Sequence, residues 1–85
     1  MAKSLLVTGA AGFIGANFVH YWIQNHPEDK VVGYDALTYA GNRANLAALD
    51  GNTNFSFVHA DICDYDAILQ ALRDHGVDTV VHFAA

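Results

Sequence analysis

The clearest chemical potential lies in the glycines of Gly9-Ala10-Ala11-Gly12-Phe13-Ile14-Gly15 and in the acid Asp35. The spacing is G-x-x-G-x-x-G, a variant of the glycine fingerprint that seats a pyrophosphate at the start of a helix. Each glycine has its own task. Gly9 lets the chain leave a strand in a tight turn, Gly12 has no side chain to block an approaching phosphate, and Gly15 lets the helix pack closely on the sheet. The N–H groups of the first helical turn and the positive end of the helix dipole then face the anion. Asp35 follows Gly15 by 20 residues, the interval expected of a carboxylate that accepts hydrogen bonds from an adenosine ribose. A carboxylate there repels a 2′-phosphate, which favours NAD over NADP. Arg43 is a nearby basic residue whose charge works against this preference.

Such a turn needs a strand before it and a helix after it. Ser4–Thr8 is a short apolar run ended by Gly9, read as a buried strand. From Phe13 to about Asn25 the period becomes helical, with Gly15, Phe18, Val19, Trp22 and Ile23 on one face. His26-Pro27 stops that helix, because proline disfavours helical geometry in the residue before it. Val31–Tyr34 is a second strand, closed by Asp35, and 36–41 is a loop. Gly41 or Asn42 caps a short Ala- and Leu-rich helix running to about Leu49. Asp50-Gly51-Asn52 signals a turn and Phe55–Val58 a third strand. Asp64 reads as the N-cap of a helix with Ile68, Leu69 and Leu72 on one face, closed by His75-Gly76. Thr79–Phe83 is a fourth strand. Strand–helix alternation specifies parallel pairing through right-handed crossovers, and near-continuous apolar strands fit a sheet covered on both faces. The expected fold is α/β: the N-terminal part of a doubly wound Rossmann sheet, about four strands in order 3-2-1-4, with helices on both faces.

Composition narrows the function classes. The 85 residues are 53% hydrophobic and 15% charged, against about 25% charged in an ordinary soluble domain. A small domain exposes much of its surface and should be more polar than average, so this composition suggests one part of a larger core. The apolar run Val80–Ala85 at the end of the sequence agrees. A net charge of −5 provides no basic patch for a nucleic-acid backbone. The lone Cys63 excludes a disulfide framework and fits a reducing cytoplasm. No apolar run reaches membrane-span length, and 1–8 is too short for a leader's apolar core. The five histidines, His20, His26, His59, His75 and His82, show no ligand spacing, so no metal site is expected. His82 reads as a core residue with a satisfied ring nitrogen, Cys63 as a small buried thiol, and Glu28 as a solvated surface acid. Tyr21 and Trp22 read as core or domain-interface packing, and Asp64 and Asp66 as a helix start.

The segment Val7–Gly15 resembles the opening of the extended short-chain dehydrogenase/reductases. The octet Asp35-Ala36-Leu37-Thr38-Tyr39-Ala40-Gly41-Asn42 is similar to that of the dTDP-glucose 4,6-dehydratases. Asp61-Ile62-Cys63-Asp64 and Val81-His82-Phe83-Ala84-Ala85 match the same family in order and spacing. Ala10 is a small departure, since many members carry a further glycine there. The resemblance covers the whole chain but only the N-terminal minority of a full-length member. It implies an NAD site in which Phe13 and Ile14 offer backbone N–H groups to the pyrophosphate. It also implies that Asp35, Ala36, Leu37 and Thr38 surround the adenosine ribose. Asp61 and Ile62 would border the adenine, with Asp61 accepting from its amino group. Phe83, Ala84 and Ala85 would run beside the pyrophosphate and the nicotinamide ribose.

The family reaction oxidises C4 of the glucose ring with NAD, eliminates water across C5 and C6, and returns the hydride to C6. The resemblance ascribes this chemistry to a Tyr-x-x-x-Lys pair, a Thr and an Asp-Glu pair. None of the four tyrosines, Tyr21, Tyr34, Tyr39 and Tyr65, is followed by Lys at the fourth place, so no catalytic residue is assigned. Residues 1–85 are expected to be a partial NAD-binding domain without the sugar-nucleotide domain, inactive alone and prone to self-association. The competing readings are a non-catalytic nucleotide-binding or scaffold fragment, and a related epimerase or decarboxylase on the same scaffold.

Overall fold

The computed structural model describes residues 2–37, 43–49 and 51–83. Four strands alternate with helical segments: β1 (Ser4–Thr8), α1 (Phe13–Asn25), β2 (Lys30–Asp35), a 3-10 helix (Arg43–Leu49), β3 (Phe55–His59), α2 (Tyr65–Asp74) and β4 (Thr79–His82). The strands form one parallel sheet in the order β3-β2-β1-β4, the order expected from the sequence. Its register pairs Val7 with Gly33 on one side and with Val81 on the other.

The alternation of side chains along the central strands feeds two cores. Val7 and Val31 face α1 and the 3-10 helix, packing with Val19, Leu46 and Phe55. Leu6, Val32 and Tyr34 face α2, packing with Ala67, Ile68, Ala71 and Leu72. The crossover into β4 therefore runs on the opposite face from the first two, which makes the sheet doubly wound. Cover on both faces holds for β1 and β2, which are buried almost throughout. The flanking β3 and β4 are only partly buried.

Two local differences from the sequence reading have physical causes. The segment before Leu49 is a 3-10 helix, whose three-residue turn eclipses positions i and i+3. That geometry buries Leu46 and Leu49 together against α1. β4 ends at His82, and Phe83 leaves the strand while its N–H still donates to the Thr8 carbonyl at 3.0 Å. The α2 boundaries follow the sequence signals: the Asp64 carboxylate accepts from the Ala67 N–H, and Gly76 takes a left-handed φ of 58° just past the end. The bonds Gly76 N–H to Arg73 carbonyl and Val77 N–H to Leu72 carbonyl complete a Schellman motif.

Candidate functional site

β1 delivers the chain into the glycine turn at the C-terminal edge of the sheet. Gly9 adopts φ of 69°, and its N–H donates to the Tyr34 carbonyl at 2.9 Å, continuing the ladder one residue beyond the strand. Gly12 is the N-cap of α1 and supplies no capping side chain. The first-turn N–H groups of a helix have no partner within it, so this end is open to an anion. A Cβ on Gly15 would lie 2.0 Å from the Gly9 carbonyl oxygen, so the helix sits on the turn at a distance only glycine allows. Gly9, Gly12, Phe13, Ile14, Gly15 and Phe83 line an open cleft of about 360 Å³. Phe13 and Ile14 are 79% and 67% exposed there. Phe83 leans on Phe18, ring centroids 5.5 Å apart, and closes one side. A glycine floor, an uncapped helix start and apolar walls suit a diphosphate flanked by flat rings.

The other expected site residues that the structure describes are not among those lining this cleft. Asp35 is buried and its carboxylate is already engaged: Oδ2 accepts from the Ala11 N–H and Oδ1 from the Leu37 N–H, both at 2.8 Å. The second bond holds Leu37 at φ of 56°, unusual for a residue with a side chain. The Ala36 carbonyl accepts from His59 Nε2 at 3.0 Å. Asp61 is exposed; its carbonyl accepts from the Tyr34 hydroxyl at 2.7 Å and its Oδ1 from the Cys63 N–H at 2.8 Å. Burial raises the Tyr34 hydroxyl above its ordinary pKa, with the charges of Asp64 and Asp61 adding to the effect. It therefore stays a neutral donor holding this loop. Ile62 is half-buried against the α2 core. Thr38, Ala84 and Ala85 lie outside the described residues, as does most of the octet after Asp35.

Several sequence expectations change. Cys63 is exposed, not buried, because it sits in the Asp61–Asp64 turn above the sheet. His82 keeps a satisfied ring nitrogen, with Nδ1 2.7 Å from Thr8 Oγ1, but lies exposed on the flanking strand β4. Tyr21 is 58% exposed, whereas Trp22 packs on Phe18 and His26. Among the described residues the histidines do include one grouping with acids: ligand atoms of His26, Glu28 and Asp29 lie within 4.8 Å of one another. The sequence reading passed over it because no regular spacing marks it. Both oxygens of Asp29 there already accept hydrogen bonds, from Lys3 N–H and Trp22 Nε1–H. Sequence reasoning also missed Asn45, whose side-chain amide donates to the Ala11 carbonyl at 2.8 Å; no motif or spacing marks it.

The sequence pattern of the NAD dependent epimerase/dehydratase family matches residues 5–85. The chain belongs to that family. It is 48% identical to the dTDP-glucose 4,6-dehydratase 1 of Escherichia coli over 95% of its own length and 22% of that protein. It is 51% identical to the dTDP-glucose 4,6-dehydratase of Mycobacterium tuberculosis over 95% of its length and 23% of that protein. Among solved structures, it superposes with a TM-score of 0.97 and 40% identity on dTDP-glucose 4,6-dehydratase from Bacillus anthracis in complex with NAD, covering 99% of this chain and 27% of that one. The UDP-glucose 4-epimerase of Thermotoga maritima gives a TM-score of 0.81 at 34% identity over 98% of this chain and 24% of that one. The chain thus spans about a quarter of the length of these family members. Among the described residues, no helix is long and apolar enough to cross a membrane.

Proposed function

We propose that the chain is the cofactor-binding segment of an NAD-dependent dTDP-glucose 4,6-dehydratase, and that residues 1–85 alone hold the ADP portion of the cofactor. The observation that carries the reading is the 48–51% identity to dTDP-glucose 4,6-dehydratases along 95% of the chain. The structurally matched UDP-glucose 4-epimerase, at 34%, supports an epimerase less well. NAD, when bound, accepts and returns a hydride. This chain's own residues bind and orient. The Gly9–Gly15 turn and the start of α1 receive the pyrophosphate, with Phe13 and Ile14 donating backbone N–H groups. Asp35, Ala36, Leu37 and Thr38 surround the ribose, Asp61 and Ile62 border the adenine, and Phe83, Ala84 and Ala85 run toward the nicotinamide ribose. The nucleotide sugar meets only the complete protein. With a net charge of −5, nucleic acid is not a partner, and the lone cysteine fits a cytoplasmic protein.

Calorimetric titration of the chain with ADP, ADP-ribose and NAD tests the binding claim. The expected dissociation constants are micromolar to millimolar, because the cleft is open and leaves much of a ligand wet, with ADP-ribose close to NAD. NAD binding about a hundredfold tighter than ADP-ribose would reveal a nicotinamide site outside this account. Incubation with dTDP-glucose and NAD is expected to give no 4-keto-6-deoxy sugar above a protein-free control. The coding sequence beyond Ala85 separates enzyme from scaffold: Glu-Ser followed later by Tyr-x-x-x-Lys supports the dehydratase, and a stop codon opposes it.

A further inference from the structure

We infer that Asn45 is a positioning residue for the cofactor turn: its side-chain amide fixes the peptide that aims the N-cap of α1 at a diphosphate. The inference rests on the reading above that this turn receives the pyrophosphate. Ala11 is fully buried in the middle of the turn and is gripped on both sides. Its N–H donates to Asp35 Oδ2 at 2.8 Å, and its carbonyl accepts from Asn45 Nδ2 at 2.8 Å. A carbonyl only accepts, so the amide nitrogen of Asn45 must be the end that faces it.

The second grip fixes the peptide that leads into the N-cap of α1. A trans peptide is planar, with its C=O and N–H pointing in opposite directions. Holding the Ala11 carbonyl therefore sets the direction of the Gly12 N–H on the same plane, which meets the Gly9 carbonyl at 3.2 Å. Gly12 is the N-cap of α1 and part of the cleft floor. Asn45 bonds to this plane and is not among the residues lining the cleft. It can hold the plane because its own backbone is anchored. Leu46 beside it is fully buried, and the Asn45 carbonyl accepts from His20 Nε2 of α1 at 2.8 Å. A second element thus carries the turn besides β2, and the 3-10 helix acquires a task beyond covering the sheet.

The test is Asn45→Ala in the protein, titrated with ADP and with adenosine and followed by amide chemical shifts. Asn45 is exposed, so truncating it removes the donor without opening a cavity or adding charge. ADP is expected to bind about three- to tenfold more weakly, the worth of one neutral hydrogen bond, with adenosine affinity unchanged. Equal weakening of ADP and adenosine would show a general structural role, and unchanged ADP affinity would show no role; either overturns the inference. If the unsubstituted protein binds no ADP, the functional reading itself fails and takes the inference with it. ADP binding by the parent with no change in the variant removes Asn45 alone.

Discussion

Asp35 already serves the backbone, and the proposed function asks it to accept from a ligand as well. In the structure its oxygens already hold the Ala11 and Leu37 N–H groups. A carboxylate has about four lone-pair sites, which leaves capacity for ribose hydroxyls. Asp35→Ala removes both kinds of bond and strands the buried Ala11 N–H. NAD binding is expected to weaken by about 1.5–3 kcal/mol, and any gap between NAD and NADP to narrow, as read by calorimetry with each cofactor. A variant that binds both as the parent does would reduce Asp35 to a turn residue. Gly15→Ala tests the other side of the turn. The added methyl meets backbone, the Gly9 carbonyl oxygen, and no side chain can swing away. A loss of about 1–3 kcal/mol or more in unfolding free energy is expected from urea titration, together with weakened ADP binding.

At the scale of elements, the opposite end of the sheet is joined by Asp29. This buried acid ties the start of β1 to the end of α1, accepting from Lys3 N–H at 2.8 Å and Trp22 Nε1–H at 3.0 Å. The Lys3 backbone bond foremost holds its carboxyl below the usual carboxylate range; the Trp22 bond and the charges of His26 and Lys3 assist, while burial opposes. The unfolded chain thus binds this proton more readily than the native one. The stabilisation is fully present above the ordinary Asp value of about 3.9 and is lost as pH falls through the depressed native value. The urea midpoint should show no loss from Asp29 between neutral pH and about pH 5 and then a progressive loss below about pH 4. Asp29→Asn should lower the midpoint at neutral pH and flatten the acid limb. An unchanged acid limb in that variant would assign it to other carboxylates.

At the scale of the whole molecule, the sheet is unevenly covered. β1 and β2 are buried almost throughout, but β4 pairs only with β1 among the described residues. Val80 is 56% and Phe83 38% exposed beside that edge. An open apolar edge strand offers unpaired N–H and C=O groups to another chain. The 85-residue chain is therefore expected to self-associate or to be marginally stable. Sedimentation velocity should show species larger than one chain growing with concentration. A compact monomer at high micromolar concentration, unfolding cooperatively in urea, would overturn this expectation.

The local grammar was legible from the order of residues alone. The apolar runs, the helical period from Phe13, the Asp64 cap and the Gly76 stop each depend on neighbouring residues, and together they specified the alternation and the strand order. The glycine turn was legible for the same reason: Gly9, Gly12 and Gly15 act within one strand–turn–helix unit. What distant segments do to one another emerged from the folded chain. Asn45 reaches Ala11 across 34 residues, Asp29 reaches Lys3 across 26 and Thr8 reaches His82 across 74, and no periodicity encodes such pairings. Burial near the edges was likewise hidden. Cys63 and His82 are exposed because of where their turn and strand lie in the sheet. Residue type records what a side chain can do, whereas exposure depends on which other elements cover it.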